Sequence, residues 1–252
     1  TEAVNAAVLQ ILKEQYDIED EVFISAEIEV VPAGSARDYG LDRSMIMSYG
    51  QDDRVCAYTS FRAMIEMEAP EYTSVCLLTD KEEIGSVGAT GMHSRFFEDT
   101  VAEVMNACGC YSEIALRRVL KNTKVLSSDV SAAFDPNYPE VMEKNNCAYL
   151  GRGPVLNKYT GSRGKSGSNA ATAEYIAWLR NILDNGGIGY QTSELGKVDA
   201  GGGGTIAYIL ANLGMEVIDC GVAVLNMHAP FEITSKIDVY ETYRAYGVFL
   251  RS

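Results

Sequence analysis

The chain has 252 residues, of which 47% are hydrophobic and 22% are charged, and its formal net charge is −14 at pH 7. This length and composition are typical of a globular protein with one large domain or two modest ones, and they exclude intrinsic disorder. A strongly acidic chain without clustered Lys and Arg also argues against nucleic-acid and anionic-membrane partners.

Six cysteines lie mostly within apolar runs, and Cys108 and Cys110 form the one close pair. A zinc knuckle needs two spaced pairs, so the cysteines are interpreted as buried thiols in a reducing compartment. The sequence contains no apolar run long enough to cross a membrane and no signal peptide. We therefore predict a cytoplasmic protein.

The hydrophobic pattern of the first part predicts a helix over 3–15, a strand over 22–30, a loop over 32–48, a helix over 55–67 and a strand over 73–79. Further along, helices are predicted over 96–107, 111–120, 172–184 and 205–213, with strands over 124–130 and 216–225, a loop over 146–168 and a final helix from about Ser235. Alternating strands and helices predict an α/β fold with a mostly parallel mixed sheet between helices. Trp178 is expected in the core.

An acidic turn, Asp80-Lys81-Glu82-Glu83, directly follows the apolar run 73–79. The carboxyl end of a strand is where α/β folds place their chemistry. Successive residues point to opposite sides, so Glu82 and Glu83 are expected to differ in role. One can hold a metal while the other works on a water. Taken alone, the turn favours a charged, solubilising loop over a catalytic one, and the rest of the sequence has to decide between them.

Three other loops place metal-type ligands at element boundaries: Asp52-Asp53 at a helix start, and Asp129 and His228 at strand ends. A carboxylate-rich set with one imidazole is the ligand chemistry of a two-metal hydrolase. One carboxylate can bridge two dications because its oxygens can face different ions. A nearby free Glu then handles the proton of an attacking water. This set predicts amide hydrolysis.

Five stretches in register resemble the successive motifs of the aspartyl aminopeptidase and aminopeptidase I family, which are two-zinc metallopeptidases of the aminopeptidase-type α/β fold. These stretches are Gln51-Asp52-Asp53-Arg54, Asp80 to Ser86, Ser127 to Tyr138, Gly151-Arg152-Gly153-Pro154-Val155 and Asn226-Met227-His228. The resemblance runs from about residue 15 to the C-terminus.

The resemblance implies that Asp52 bridges two divalent ions, that Glu83 and His228 complete one site, and that Asp129 belongs to the other. Glu82 is the implied general base. Zinc is the implied metal, and carboxylate-rich sites also accept cobalt or manganese. Peptides are the implied substrates, and the implied assembly is a homo-oligomer built from dimers, with a dodecamer as one form.

The second site is one ligand short, since a catalytic zinc usually takes three protein ligands. In the family, that ligand is a His of an early His-X-Asp motif, which this sequence lacks. We therefore expect the chain to be the C-terminal part of a longer polypeptide. Residues 1–45 would be the tail of an inserted dimerisation domain, and residues 46–252 the main part of the catalytic domain. His93 is a weaker substitute ligand.

Other candidate site residues each have a functional and a structural interpretation. Gly202 and Gly203, in the run of four glycines, could form a backbone wall of the substrate pocket or a tight packing site. Arg152 could meet a substrate carbonyl or carboxylate, or be a solvated loop residue. Asp53 is interpreted as a charge at its helix N-terminus.

Two alternatives to an aminopeptidase remain open. The first is a two-metal deacylase or carboxypeptidase, since Arg152, Arg163 and Lys165 could clamp a substrate carboxylate. The second is a catalytically incomplete scaffold subunit, which the missing ligand would explain.

Overall fold

The structure is a computed structural model that describes residues 2–163 and 166–252. Contacts divide it into two compact units, one ending at Ala33 and the other spanning Gly34–Ser252. None of the described helices is both long enough and apolar enough to cross a membrane.

The first unit contains two helices, α1 (Glu2–Tyr16) and α2 (Asp20–Ser25). The predicted first helix is confirmed, but the strand predicted over 22–30 is wrong. Asp20 and Glu21 occupy the first turn of α2, where carboxylates stabilise the positive end of a helix. Val22, Ile24, Ile28 and Val30 are exposed. Alternating apolar residues form a stable strand only beside a partner strand, and no described strand pairs with these residues.

The described residues of the second unit form six α-helices. They are α3 (Gln51–Ile65), α4 (Phe96–Ala107), α5 (Glu113–Asn122), α6 (Ala173–Asn185), α7 (Ala207–Ala211) and α8 (Lys236–Leu250). Ser112 and Thr172 start α5 and α6, because each side-chain oxygen accepts a hydrogen bond from a first-turn backbone N–H at 3.2 Å. The predicted helices of this unit are confirmed, with α7 shorter than expected.

The second unit also contains two mixed sheets. Their strands are β1 (Arg37–Tyr39), β2 (Met45–Ser48), β3 (Lys124–Ser127), β4 (Ser131–Ala132), β5 (Val155–Asn157), β6 (Gln191–Ser193), β7 (Glu216–Gly221), β8 (Ala223–Leu225) and β9 (Glu232–Ser235). The five-stranded sheet has the order β1-β2-β9-β8-β4, and the four-stranded sheet has the order β3-β7-β5-β6.

The predicted mixed α/β class is confirmed, but the sheets are less parallel than expected. Among the described residues, β3–β7, β4–β8 and β5–β6 are parallel, whereas β1–β2, β2–β9, β5–β7 and β8–β9 are antiparallel. Two neighbouring strands that are joined by a short loop run antiparallel, because parallel neighbours need a long crossover connection. The loop that separates β8 from β9 is such a short connection.

The loop predicted over 32–48 contains β1 and β2, so that prediction is wrong. Met45–Ser48 pairs with Glu232–Ser235, and this far partner gives no local signal in the sequence. These strands lie in the second compact unit, which spans Gly34–Ser252. The apolar run 73–79 forms neither a strand nor a helix, and it pairs with no strand among the described residues.

Both faces of the four-stranded sheet are covered by apolar helices. On one face, Leu156 and Ile218 pack with Leu179 and Leu183 of α6 and with residues of α8. On the other face, Val217 packs with residues of α4, α5 and α7. Trp178 stacks on Tyr175 in the first cluster, as expected for a core residue. Packing of helices on both faces of the sheet holds in place the strand ends that carry the acidic residues.

Candidate metal centre

Asp52, Glu83 and His228 converge at one point of the second unit. Their ligand atoms lie within 4.8 Å of one another. His228 Nε2 lies 3.0 Å from Asp52 Oδ2 and 3.4 Å from Glu83 Oε1. Three residues that are 31 to 176 positions apart in sequence, at a helix start, an acidic turn and a strand end, are thus brought together as one candidate ligand group.

Asp52 also belongs to a second group of ligand atoms, with Asp53 and Asp129, and these atoms again lie within 4.8 Å of one another. Asp53 was expected only to charge a helix end. Its backbone and that of Asp52 are non-helical at the start of α3, and the peptide bond between them is cis. Asp53 turns into the site, where its buried Oδ1 has no hydrogen-bond partner among the described residues.

Glu82 lies beside both groups without belonging to either. It starts the 3-10 turn Glu82–Ile84, which follows Lys81 in the left-handed region at φ 67° and precedes Gly85 at φ 95°. The Ser86 backbone N–H donates to the Lys81 carbonyl at 2.8 Å and closes this turn. The turn therefore presents the half-buried Glu82 and the exposed Glu83 differently, in line with their expected unequal roles.

Glu232 supports this site and was missed in the sequence. It is 2% exposed, and its carboxylate accepts hydrogen bonds from the backbone N–H groups of Asp52 and His228, each at 2.9 Å. Gln51 in turn donates to the Glu232 carbonyl at 2.6 Å. One buried carboxylate thus holds two candidate ligands in place. The one feature of the sequence that could have pointed to Glu232 is its position four residues after His228.

Electrostatics of the site favour bound cations. Burial, followed by the charge of Glu83, raises the pKa of Asp52 to about 6. Burial is also the main cause that raises the pKa of Asp53, Asp129 and Glu82, and neighbouring carboxylates add to it. Gathered carboxylates repel each other unless a cation or a proton offsets their charge. Hard oxygen ligands, one imidazole and the orphaned Asp53 oxygen fit divalent metal ions.

The other predicted site residues do not join these groups. Arg152 is exposed, with its guanidinium 4.6 Å from the centre of the Tyr149 ring. The Gly203 carbonyl accepts a hydrogen bond from the Gly161 backbone N–H at 2.8 Å, and Gly202 packs closely against Gly196.

Two further candidates are also outside the groups. His93 Nε2 lies 2.9 Å from the Tyr208 hydroxyl, and His93 belongs to neither of the two ligand groups found among the described residues. Of the proposed carboxylate clamp, Lys165 lies outside the described residues. Cys108 and Cys110 are exposed, whereas Cys56, Cys147 and Cys220 are buried, so the expectation of buried thiols is met in part.

Asp238 fixes the loop that carries Arg152. It is fully buried in the first turn of α8, and its carboxylate accepts hydrogen bonds from Gly151 N at 2.7 Å and Gly153 N at 2.6 Å. The two backbone donors at this buried carboxylate hold the loop against α8.

We expect Asp238→Asn to lower the free energy of unfolding by about 1–3 kcal/mol, because an amide nitrogen would face a buried N–H. Urea denaturation of the purified chain measures this change. Asp184→Asn, at an exposed position of α6, is the matched control and should change stability by less than about 0.5 kcal/mol. Equal effects of the two substitutions would contradict this role of Asp238.

A family profile described as aminopeptidase I zinc metalloprotease (M18) matches residues 1–250. A probable M18 family aminopeptidase 1 from Clostridium acetobutylicum is 66% identical over 245 residues, which are 97% of this chain and 53% of that protein. A protein of the same description from Thermotoga maritima is 51% identical, with 97% of this chain and 54% of that protein covered.

Solved structures agree with these relatives. The crystal structure of aminopeptidase I from Clostridium acetobutylicum superposes with a TM-score of 0.90 at 64% identity, covering 97% of this chain and 53% of that one. The M18 aminopeptidase structure from Thermotoga maritima gives a TM-score of 0.93 at 49% identity, covering 98% and 55%. The chain thus spans about half the length of these relatives. It belongs to the aminopeptidase I zinc metalloprotease (M18) family.

Proposed function

We propose that this chain provides most of the active site of a zinc-dependent aminopeptidase, which removes N-terminal residues from peptides. The observation that carries the proposal is the pair of ligand groups that share Asp52, with Glu82 beside them. Membership of a zinc metalloprotease family supports zinc as the metal, and the same ligands would accept cobalt or manganese.

In this proposal, Asp52, Glu83 and His228 hold one ion, and Asp52 and Asp129 hold the second, with Asp53 next to them. When bound, a pair of dications acidifies water and polarises a carbonyl group. Glu232 fixes the backbone positions of Asp52 and His228 relative to each other through its two hydrogen bonds. Such supporting groups orient the ligands that they contact.

Glu82 is the proposed general base. Its carboxylate takes a proton from the water that attacks the first peptide carbonyl, and then delivers that proton to the leaving amine. It suits this task because it is half-buried beside the ligand groups but is not needed as a ligand in either. Glu83 differs, since its Oε1 faces His228.

The first unit is proposed to be part of a dimerisation domain. Helix α1 has no buried residue, and it exposes Val4, Val8 and Ile11, which are spaced for one helical face. An apolar face of this kind suits association between copies. The proposed assembly is a cytoplasmic homo-oligomer built from dimers.

Metal content and product analysis together test the proposed activity. The probe is a chimera that joins this chain to the part of the Clostridium acetobutylicum relative outside the match. We expect two zinc ions per chimera, release of the first residue from a peptide with a free N-terminus, and no release from the same peptide after N-acetylation. Zinc chelation should remove the activity. A chimera with two bound zinc ions that releases no N-terminal residue would overturn the proposal.

A further inference from the structure

A row of buried polar residues crosses the four-stranded sheet. The pairing register places its four members side by side on β3, β7, β5 and β6, and they are Ser127, Asp219, Asn157 and Ser193. None of the four is more than 4% exposed. Apolar helices cover both faces of this sheet, so these polar groups need partners inside the core.

Asn157 and Ser193 are partners of each other. The Asn157 side-chain amide donates to the Ser193 carbonyl at 2.9 Å and to the Ser193 hydroxyl at 3.0 Å. Asp219 has no comparable contact. Both of its carboxylate oxygens are buried without a hydrogen-bond partner in the described part of the chain, and none of the ion pairs between described residues includes it. A charged carboxylate left in this state is strongly unfavourable.

Three hydroxyl groups face the Asp219 carboxylate. They belong to Ser127 beside it in the sheet, to Thr160 after β5 and to Thr205 before α7. Burial raises the pKa of Asp219 to about 6, whereas these hydroxyls favour its charged form. The Ser127 and Thr160 hydroxyls are also buried without a partner among the described residues, and Thr205 Oγ1 accepts a hydrogen bond from the Ala207 N–H at 3.3 Å. Buried oxygen atoms thus gather here without hydrogen bonds to one another.

A bound cation would account for this arrangement, because it attracts carboxylate and hydroxyl oxygens alike. Above a pH of about 6 the Asp219 carboxylate is ionised, and a water molecule would fill the space without offsetting that charge. A dication would leave one positive charge uncompensated in the core, which is costly. A monovalent cation is balanced by one carboxylate. Neutral oxygen atoms can replace its water shell, as carbonyl oxygens do around potassium in ion channels.

A cleft of about 460 Å³ reaches from the candidate metal centre to the edge of this cluster. Ser127 lines the cleft together with Asp52, Asp129 and Ile206, the residue that follows Thr205. A cation therefore has a path from solvent past the Ser127 side chain. The carboxylates along this path attract cations.

We propose that Asp219, with the hydroxyls of Ser127, Thr160 and Thr205, binds one alkali cation, sodium or potassium, inside the second unit. Asp219 belongs to neither candidate ligand group, so this is a separate site. The ion would hold the end of β3, the segment after β5 and the start of α7 together. Because Asp129 follows Ser127 by two residues, the ion also supports the strand end that carries a candidate zinc ligand. The alkali site does not depend on the proposed catalytic activity.

Uptake of radioactive sodium and rubidium by the chimera described above tests this site, with rubidium as the substitute for potassium. Zinc stays in the buffer, so that the acidic cluster is not free to take up the alkali ions. Choline chloride replaces the alkali chloride in the reference sample at equal ionic strength, because choline is too large for a buried site. We expect one alkali ion per chimera at this site, and the ion that binds more tightly identifies the native occupant.

Three variants locate the bound ion. Asp219→Asn keeps the shape of the side chain but removes its charge, so it should weaken binding by at least about 100-fold. Thr160→Val removes one hydroxyl oxygen and should weaken binding about tenfold. Thr242→Val is the matched control and should leave the affinity unchanged. The Thr242 hydroxyl is also buried without a described partner, but it belongs to α8, which covers the other face of the sheet from α7.

Stability gives a second measurement. A ligand that binds only the folded state raises the urea concentration at the midpoint of unfolding. The midpoint of the parent chimera should therefore be higher in sodium or potassium chloride than in choline chloride, and Asp219→Asn should not show this difference. The comparison between salts remains valid for a variant that is less stable than the parent.

Loss of one alkali ion in Asp219→Asn, with Thr242→Val unchanged, supports the site. This holds even if the chimera releases no N-terminal residue, which would overturn the proposed function alone. Three results would overturn the alkali site: no bound sodium or rubidium, equal binding in the parent and in Asp219→Asn, or a midpoint in urea that is the same in alkali and choline salts.

Discussion

Substitution of Asp52 by alanine is expected to abolish binding of both metal ions. Its carboxylate oxygens belong to the group with Glu83 and His228 and also to the group with Asp53 and Asp129. Loss of a group that merely supports a ligand costs roughly 10–100-fold in metal affinity. Loss of a shared ligand should therefore lower zinc affinity by more than about 100-fold at each site, as measured by calorimetric titration of the chimera described above with zinc.

Matched variants separate a shared ligand from an ordinary one. Asp129→Ala should remove one zinc ion and leave the group at His228 occupied, and exposed Asp184→Ala should change nothing. Two zinc ions bound to Asp52→Ala with unchanged affinity would show that Asp52 is not shared.

Misfolding is not expected to explain the loss of metal in Asp52→Ala. Burial and the charge of Glu83 raise the pKa of Asp52 to about 6. Above that pH, the ionised carboxylate destabilises the metal-free fold, because its pKa is higher in the folded than in the unfolded state. The metal-free variant should therefore unfold at the same urea concentration as the parent chain, or at a higher one, at pH 7 to 8.

Local patterns in the sequence were sufficient to predict the helices and to nominate many residues of the candidate site. Helix α4 has the predicted bounds because its apolar residues repeat with helical spacing, and Ser112 and Thr172 cap their helices through contacts within three residues. Acidic residues and a histidine at element boundaries were enough to nominate Asp52, Glu83, Asp129 and His228, and the structure brings each of them into one of two ligand groups.

Contacts between distant residues account for what the sequence did not reveal. Strand β2 pairs with β9, about 190 residues away, and β1 pairs with β2. Such short strands carry little pattern of their own. The Glu232 carboxylate accepts hydrogen bonds from backbone N–H groups. Every residue type except proline has such a group, so the sequence does not show which of them lie near Glu232. The run 73–79 has the composition of a strand, yet a strand needs a neighbour, and the described residues provide none.

Substitution of Glu82 by glutamine is expected to lower kcat by about 10²–10⁴-fold, the usual contribution of a general acid or base. An amide has nearly the same shape as the carboxylate but cannot accept and return a proton at neutral pH. Because Glu82 belongs to neither ligand group, both zinc ions should remain, and KM should change little. Steady-state kinetics and metal analysis of the chimera described above measure these quantities.

The neighbouring residue supplies the control. Glu83→Gln removes a ligand oxygen that lies 3.4 Å from His228 Nε2, so it should lose one zinc ion together with activity. A turn that merely solubilises the chain would tolerate both substitutions, and a turn with two ligands would lose metal in both variants. Only unequal roles for adjacent carboxylates predict that one variant keeps its metal and loses turnover while the other loses both.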